Sequence, residues 1–239
     1  MVKAIFISVR TGSSRLPNKS MLKIKNKHTI EYVIDAVKKS QHADEIVLCT
    51  TENAEDVILG AVAEVNRIKF CYGNENNKLK RWYEAARKFN IDYFVTVDGD
   101  DLFYDARLAD LCFQQIGDSD MINGQGLYND TYGIKTKTLE SMLHILEDKV
   151  IEPHEMVKLF QNKFNIKTPT NIPEILQKQN IRMTLDYEED FNFFENVINN
   201  VKDNFVLDDI LLYLKENKSV VDINYFREDD WKKNQEVLN

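Results

Sequence analysis

What this 239-residue chain has little of narrows it at once. Its three cysteines, Cys49, Cys71 and Cys112, are odd in number, scattered and form no CxxC pair, so neither a disulfide framework nor a zinc site is indicated. Eight glycines and four prolines are few for a β-sandwich with its many tight turns. No apolar run approaches the roughly 18 residues of a membrane span. The apolar stretch in the opening MVKAIFISVR is too short for a signal peptide, and a soluble, cytoplasmic protein is expected. A net charge of −8 argues against a general binder of nucleic acid or of an anionic membrane. Repeats, low-complexity tracts and linkers are missing too, as are a GxGxxG after any strand, a GxSxG and a Cys/His pair. A dinucleotide site and a covalent nucleophile are therefore not expected.

What is present is a chain with 43% apolar residues, enough to bury a core. Short β-branched runs alternate with helical patterns. Strands are predicted at Val2–Val9, Glu45–Thr51, Ile68–Tyr72 and Asp92–Val97. Helices are predicted at Thr29–Ser40, after an Asn53 cap with Glu55 and Asp56 in the first turn, at Lys78–Phe89 and from Asp105. Such alternation predicts an α/β fold, a mostly parallel Rossmann-like sheet with helices on both faces. The second half is less regular. Met121–Tyr132 has hairpin turn chemistry, Ile181–Leu185 reads as one more strand, and helical patterns run over Thr138–Asp148, Glu152–Phe164, Glu189–Val201 and Asp208–Asn217. One domain over 1–239 is expected, with a candidate excursion for acceptor binding or dimerisation around 121–180.

Charge is unevenly placed. Residues 1–30 hold seven basic side chains and no acid, +7 against −15 for the remainder. Arg10, Arg15 and Lys19 fall in RTGSSRLPNKS, directly after the first strand, where open α/β sheets bind ligands. Gly12, Ser13 and Ser14 let that loop turn backbone N–H groups toward one point, as a phosphate requires. It is not a P-loop, because Pro17 stands where the second glycine would be and Asn18 precedes Lys19. A solvated basic loop is the plainer alternative.

The acidic counterpart is VDGDDLFYD, with Asp98, Asp100, Asp101 and Asp105 at the end of a buried strand. Clustered carboxylates repel, and Mg²⁺ shared with substrate phosphate relieves that repulsion. Helix capping accounts for Asp105 but poorly for Asp98 and Asp100. After IRMTL, Asp186 sits where a ligand could reach it, while Glu188, Glu189 and Asp190 read as first-turn acids. His28, His42 and His144 read as structural, and His154 as a capping or packing residue that is also a candidate substrate contact.

These motifs carry a resemblance. FISVRTGSSRLPNKSMLKI is similar to the opening signature of the cytidylyltransferases of bacterial surface polysaccharides, the CMP-Kdo and CMP-sialate synthetases, and most closely the spore-coat polysaccharide type. CTTENAEDV, CYGNENNKLKRWYEAA, VDGDD, EPHEM and IRMTLDYEEDF follow in the family's order. The resemblance implies a nucleotidyltransferase fold, a homodimer, and transfer of CMP from CTP to a small anionic acceptor with release of pyrophosphate and Mg²⁺ as cofactor. It implies Arg10, Ser13, Arg15 and Lys19 on the CTP phosphates, Arg10, Lys19 and Asp100 in catalysis, and Asp100 and Asp186 on the metal. Gly12, Ser14, Thr51, Gly73, Arg81 and Asp98 are taken as further substrate-binding positions. Two departures bear on the acceptor. Phe103 stands near the usual Pro after the acid pair, and Lys78 or Lys80 replaces an acid upstream of Arg81.

The chemistry is coherent on physical grounds. A triphosphate must be neutralised before an acceptor approaches its α-phosphorus, and displacement then needs positioning rather than a protein nucleophile. Two other readings stay open: a GT-A-type glycosyltransferase using a nucleotide sugar, and an inactive nucleotide-binding partner protein. For the acceptor, the region Asn123–His154 is expected to contribute. Lys135 is the candidate for the acceptor's negative group and Tyr132 for hydrogen bonding, with His154 and Arg182 as the fallback and a plain solvated hairpin as the alternative.

Overall fold

The computed structural model describes residues 1–147 and 149–230. Strands β1 (Lys3–Ser8), β2 (Lys23–Ile24), β3 (Lys27–His28), β4 (Glu45–Thr51), β5 (Lys69–Gly73), β6 (Tyr93–Asp98), β7 (Met121–Asn123), β8 (Tyr132–Lys135) and β9 (Ile166–Lys167) are joined by helices. These are α1 (Thr29–Val37), α2 (Val57–Val65), α3 (Lys78–Lys88), α4 (Ala106–Gln115), α5 (Thr136–Leu146), α6 (Glu155–Phe160), α7 (Glu188–Asn200), α8 (Leu207–Glu216) and α9 (Lys218–Val221). The main sheet has seven strands in the order β5-β4-β1-β6-β8-β7-β9, with β2 and β3 forming a separate small hairpin. β5, β4, β1 and β6 are parallel to one another, whereas β8 runs antiparallel to both β6 and β7.

Side chains alternate across a strand, so β1 feeds two cores. Ile5 and Ile7 pack with Val33, Leu59 and Leu108 of α1, α2 and α4. Ala4 and Phe6 pack on the other face with Trp82, Leu139 and Phe160 of α3, α5 and α6. A third cluster gathers α7, α8 and α9 around Phe103, Phe193 and Phe194.

The chain leaves β1 for β4 on one side and later returns to β6 on the other. The carboxyl end of β1 is therefore the switch point where such sheets open a crevice. Two predictions change. Ile181–Leu185 forms no ladder and is an irregular connection. Only Leu185 bonds the 98–105 turn, its N–H donating to the Asp100 carbonyl at 3.0 Å. Asn53 precedes a 3₁₀ turn, Ala54–Asp56, but its side chain caps nothing there and donates to Glu75 instead. The predicted hairpin at Met121–Tyr132 is present as β7 and β8. The end predicted for the helix over Thr138–Asp148 lies outside the described residues, as do residues 231–239.

Candidate active site

The crevice is a cleft of about 660 Å³ over the carboxyl ends of β1 and β6. One wall is the loop after β1. Its path is set by Asp56, which is buried and accepts from the Thr11 N–H and hydroxyl, both at 2.7 Å, and from the Thr51 hydroxyl. Burial raises the Asp56 carboxyl pKa, but the Thr11 amide and the threonine hydroxyls outweigh it and hold the group below its ordinary value. Further on, Asn18 adopts a left-handed conformation, φ 54°, which Asn tolerates. The chain thereby turns into the short 3₁₀ helix Lys19–Met21.

The acidic turn after β6 forms the floor, and the structure sorts its four carboxylates. Gly99 allows it to lie against β1: a Cβ there would meet Val9 Cβ at 2.7 Å and the Ser8 carbonyl at 3.1 Å. Asp98 pairs with Lys78 of α3. Asp100 accepts from Lys19 Nζ at 2.7 Å. Asp101 is buried, and burial together with Asp100 and Asp98 pushes its carboxyl pKa well up. Asp105 caps α4 by accepting from the Arg107 N–H, as capping predicted.

Asp186 comes from the other side. Lys19 Nζ donates to its Oδ1 at 2.9 Å and Arg15 to the same oxygen at 2.5 Å. Two carboxylates 86 positions apart thus converge on one ammonium. Burial lowers the Lys19 pKa, but Asp100 and Asp186 more than reverse it, so the group stays charged. For Asp100, burial raises the pKa and Lys19 more than reverses it downward.

The cleft lining includes Arg10, Gly12, Ser13, Ser14, Arg15, Lys19, Arg81, Asp98, Asp100 and Asp186, ten of the predicted positions. Arg10 has no ion pair among the described residues and stands free to meet an anion. Arg81 is buried, donates to the Asn74 and Glu75 carbonyls, and shapes the loop after β5. Gly73 lies behind it, where a Cβ would meet Arg81 Cγ at 2.9 Å. Gly73 thus permits close packing and does not line the cleft. Thr51 is fully buried on Asp56 and supports the loop from below.

Three acceptor candidates are placed elsewhere. Lys135 pairs with Tyr93, the first residue of β6, because β8 runs antiparallel. It therefore lies about 16 Å from the Asp98 end and donates to the Gly117 carbonyl. Arg182 is 3% exposed and bound to carboxylates, so it has no face for an acceptor. His154 stands just before α6 without a capping bond and does not line the cleft, although Glu152 does. Tyr132 is at the correct end but buried, its N–H donating to the Thr96 hydroxyl.

Sequence reading missed Asp56, Glu75, Asn76, Glu152 and the Lys78–Asp98 pair. A signal existed for Asp56: Thr50 and Thr51 end a buried strand, and buried hydroxyls require partners. Of the two departures, Phe103 is a core residue packed edge-to-face with Phe194, whereas Lys78 is in the cleft and Lys80 is exposed and outside it.

A family model described as cytidylyltransferase matches residues 4–208. The chain belongs to the cytidylyltransferase family. This makes it a CTP-dependent nucleotidyltransferase. It is 26% identical over 195 residues to an uncharacterized protein of Methanocaldococcus jannaschii, covering 79% of each chain. Identity to the spore coat polysaccharide biosynthesis protein SpsF of Bacillus subtilis is 24% over 200 residues, 77% of this chain and 81% of SpsF. Among solved structures, a cytidylyltransferase from Leptospira borgpetersenii superposes with a TM-score of 0.79 at 24% identity, over 92% of this chain and 97% of that one. CMP:2-keto-3-deoxy-manno-octonic acid synthetase complexed with CTP superposes at 0.63 with 15% identity, over 83% and 99%. These two likenesses carry the nucleotidyltransferase fold. No helix among the described residues is long and apolar enough to cross a membrane.

Among the described residues no three His, Cys, Asp or Glu side chains converge into a protein-only metal cage. Mg²⁺ does not need one, since it takes one or two carboxylates, waters and substrate phosphate. Asp100 and Asp186 already face a single cation, the Lys19 ammonium, and offer hard oxygen donors, so this donor set fits.

Proposed function

We propose that this cytidylyltransferase transfers CMP from CTP to a small anionic acceptor, a sugar acid or a phosphorylated or phosphonate compound. The observation that carries the reading is the cleft's charge order. Arg10 has no ion pair among the described residues, and Lys19 and Arg15 are held by the carboxylates Asp100 and Asp186. The CTP phosphates lie along the loop from Arg10 to Lys19, where backbone N–H groups and cations neutralise them. Asp100 and Asp186 would hold Mg²⁺, which would supply Lewis-acid neutralisation of the phosphates. Lys19 donates to phosphate in place of its carboxylate partners. An acceptor oxygen forms its bond to the α-phosphorus while the bond to the bridging oxygen breaks, pyrophosphate leaves with that electron pair, and where the acceptor oxygen is a hydroxyl its proton passes to solvent. A carboxylate in the acceptor cannot crowd the acidic floor, so its negative group faces the cationic wall.

SpsF is named for spore coat polysaccharide biosynthesis, and a role in making surface-polysaccharide precursors belongs to the same reading, as do a homodimer and a cytoplasmic location. The test is pyrophosphate release from each of the four NTPs against a panel of sugar acids and phosphorylated acceptors. Release with CTP and one anionic class is expected. Release that ignores the base, or none from CTP across the panel, sinks the reading. Nucleoside diphosphate release from a nucleotide sugar would make the protein a glycosyltransferase instead.

A further inference from the structure

Behind Asp186 lies a polar network that the proposed chemistry does not use. Asp190, at the third position of α7, is completely buried. Its Oδ1 accepts from Arg182 Nε at 2.8 Å and Asn224 Nδ2 at 2.9 Å. Its Oδ2 accepts from Arg182 Nη2 and from the backbone N–H groups of Asp186 and Tyr187, all at 2.9 Å. The Arg182 side chain is 1% exposed, and its Nη2 also reaches Asp186 Oδ2 at 3.4 Å. Asn224 holds the Arg182 carbonyl as well, at 3.1 Å. The Asp186 carboxylate is thereby split: Oδ2 faces this network, and Oδ1 faces Lys19 and Arg15 across the cleft.

We propose that Arg182, Asp190 and Asn224 are positioning residues for Asp186, fixing both its backbone and its carboxylate so that Oδ1 stays aimed at the cation site. The chain around Asp186 has no strand ladder to hold it, so beyond the Leu185 backbone bond to Asp100 its fixation comes from side chains. Asn224, beyond α9, closes the network from the far end of the described chain and touches neither Lys19 nor Arg15. Groups that orient a metal-binding carboxylate in this way are worth about 10- to 100-fold in metal affinity. The inference rests on Asp186 being a metal-site carboxylate.

The experiment is calorimetry of CTP binding, once with Mn²⁺ and once with EDTA, on wild type, Asn224→Ala, Arg182→Lys, Asp186→Asn and the double variant Asp186→Asn/Asn224→Ala. Thermal melts check folding, and should Asn224→Ala not fold, Arg182→Lys carries the test because it keeps the charge and loses the fork. The expected result is a Kd for Mn²⁺-CTP raised about tenfold in Asn224→Ala and Arg182→Lys, with metal-free CTP affinity changed less than about twofold. Because the network acts through Asp186, Asn224→Ala should add almost nothing once Asp186 is already Asn. Folded variants that bind Mn²⁺-CTP like wild type overturn the proposal. So does equal weakening of both forms of CTP, or a full further loss in the double variant. If Asp186→Asn itself binds Mn²⁺-CTP like wild type, the metal-site reading falls first and the proposal falls with it.

Discussion

Asp100 and Asp186 face the same ammonium, but the two halves of the molecule hold them there by different means. Asp100 sits two residues past β6, a strand flanked on one side by β1 in continuous parallel register from Lys3–Tyr93 to Ser8–Asp98. Backbone ladders and two apolar cores fix its position. Asp186 sits in a connection without a ladder, held by one backbone bond to Asp100 and by buried charges. Hydrophobic packing tolerates small changes, whereas a buried charge stripped of its partner is costly. The first carboxylate should therefore be robust and the second brittle.

The hardest blow to that contrast is Arg182→Met, which leaves the Asp190 carboxylate buried without its main counter-charge. A loss of about 3–5 kcal/mol of folding stability is expected, read by urea denaturation. Lys78→Met removes the partner of the half-exposed Asp98, and should cost under about 1 kcal/mol. Equal costs for the two would erase the distinction. In function the two acids should instead be alike. Asp100→Asn and Asp186→Asn are each expected to fold and to lose about a hundredfold or more in kcat, measured as pyrophosphate release across a Mg²⁺ titration.

A smaller effect is expected at the cation they share. Lys19→Ala should raise the CTP dissociation constant at least about tenfold, since a charge-assisted phosphate contact is worth about 1.5–3 kcal/mol. Calorimetry showing unchanged CTP binding would remove Lys19 from the phosphate site. The loop's anchor offers a pH-dependent check. The folded-state pKa of Asp56 is held below its ordinary value, so its contribution is present at neutral pH and is lost as pH falls through that depressed value. Asp56→Asn should cost about 1.5 kcal/mol at pH 7, and the gap to wild type should close as pH drops below about 4. A gap that stays constant down to pH 2 would show that the ionised carboxylate is not what holds the loop. The least effect is expected from Lys135→Met: an acceptor KM unchanged within error, because that ammonium is at the opposite end of the sheet.

Much of the first half was legible because its information is local. A β-branched run, an amphipathic repeat and an Asp cap each state their structure within a few residues, and Glu45–Thr51 was read with the bounds the structure has. The loop Arg10–Lys19 and the turn Asp98–Asp105 were legible for a related reason: charge of one sign after a strand must lie at its carboxyl end. Lys135 falls at the end of β8 far from the cleft, because a residue's distance from the site depends on strand direction. A hairpin sequence gives its own pairing, but which way it docks against β6 is set by packing across the sheet.

By itself, then, the sequence determined the parallel core, the switch-point loop and the identity of the charges that meet there, since periodicity and strand-end position are properties of neighbouring residues. Tertiary structure alone decided which of those charges pair. Lys19 with Asp100 and Asp186, Thr11 with Asp56, and Asn224 with Asp190 are contacts between segments far apart in the chain. No local pattern encodes them, because a buried carboxylate takes whichever donors the folded chain brings within reach, and only the closed core fixes which those are.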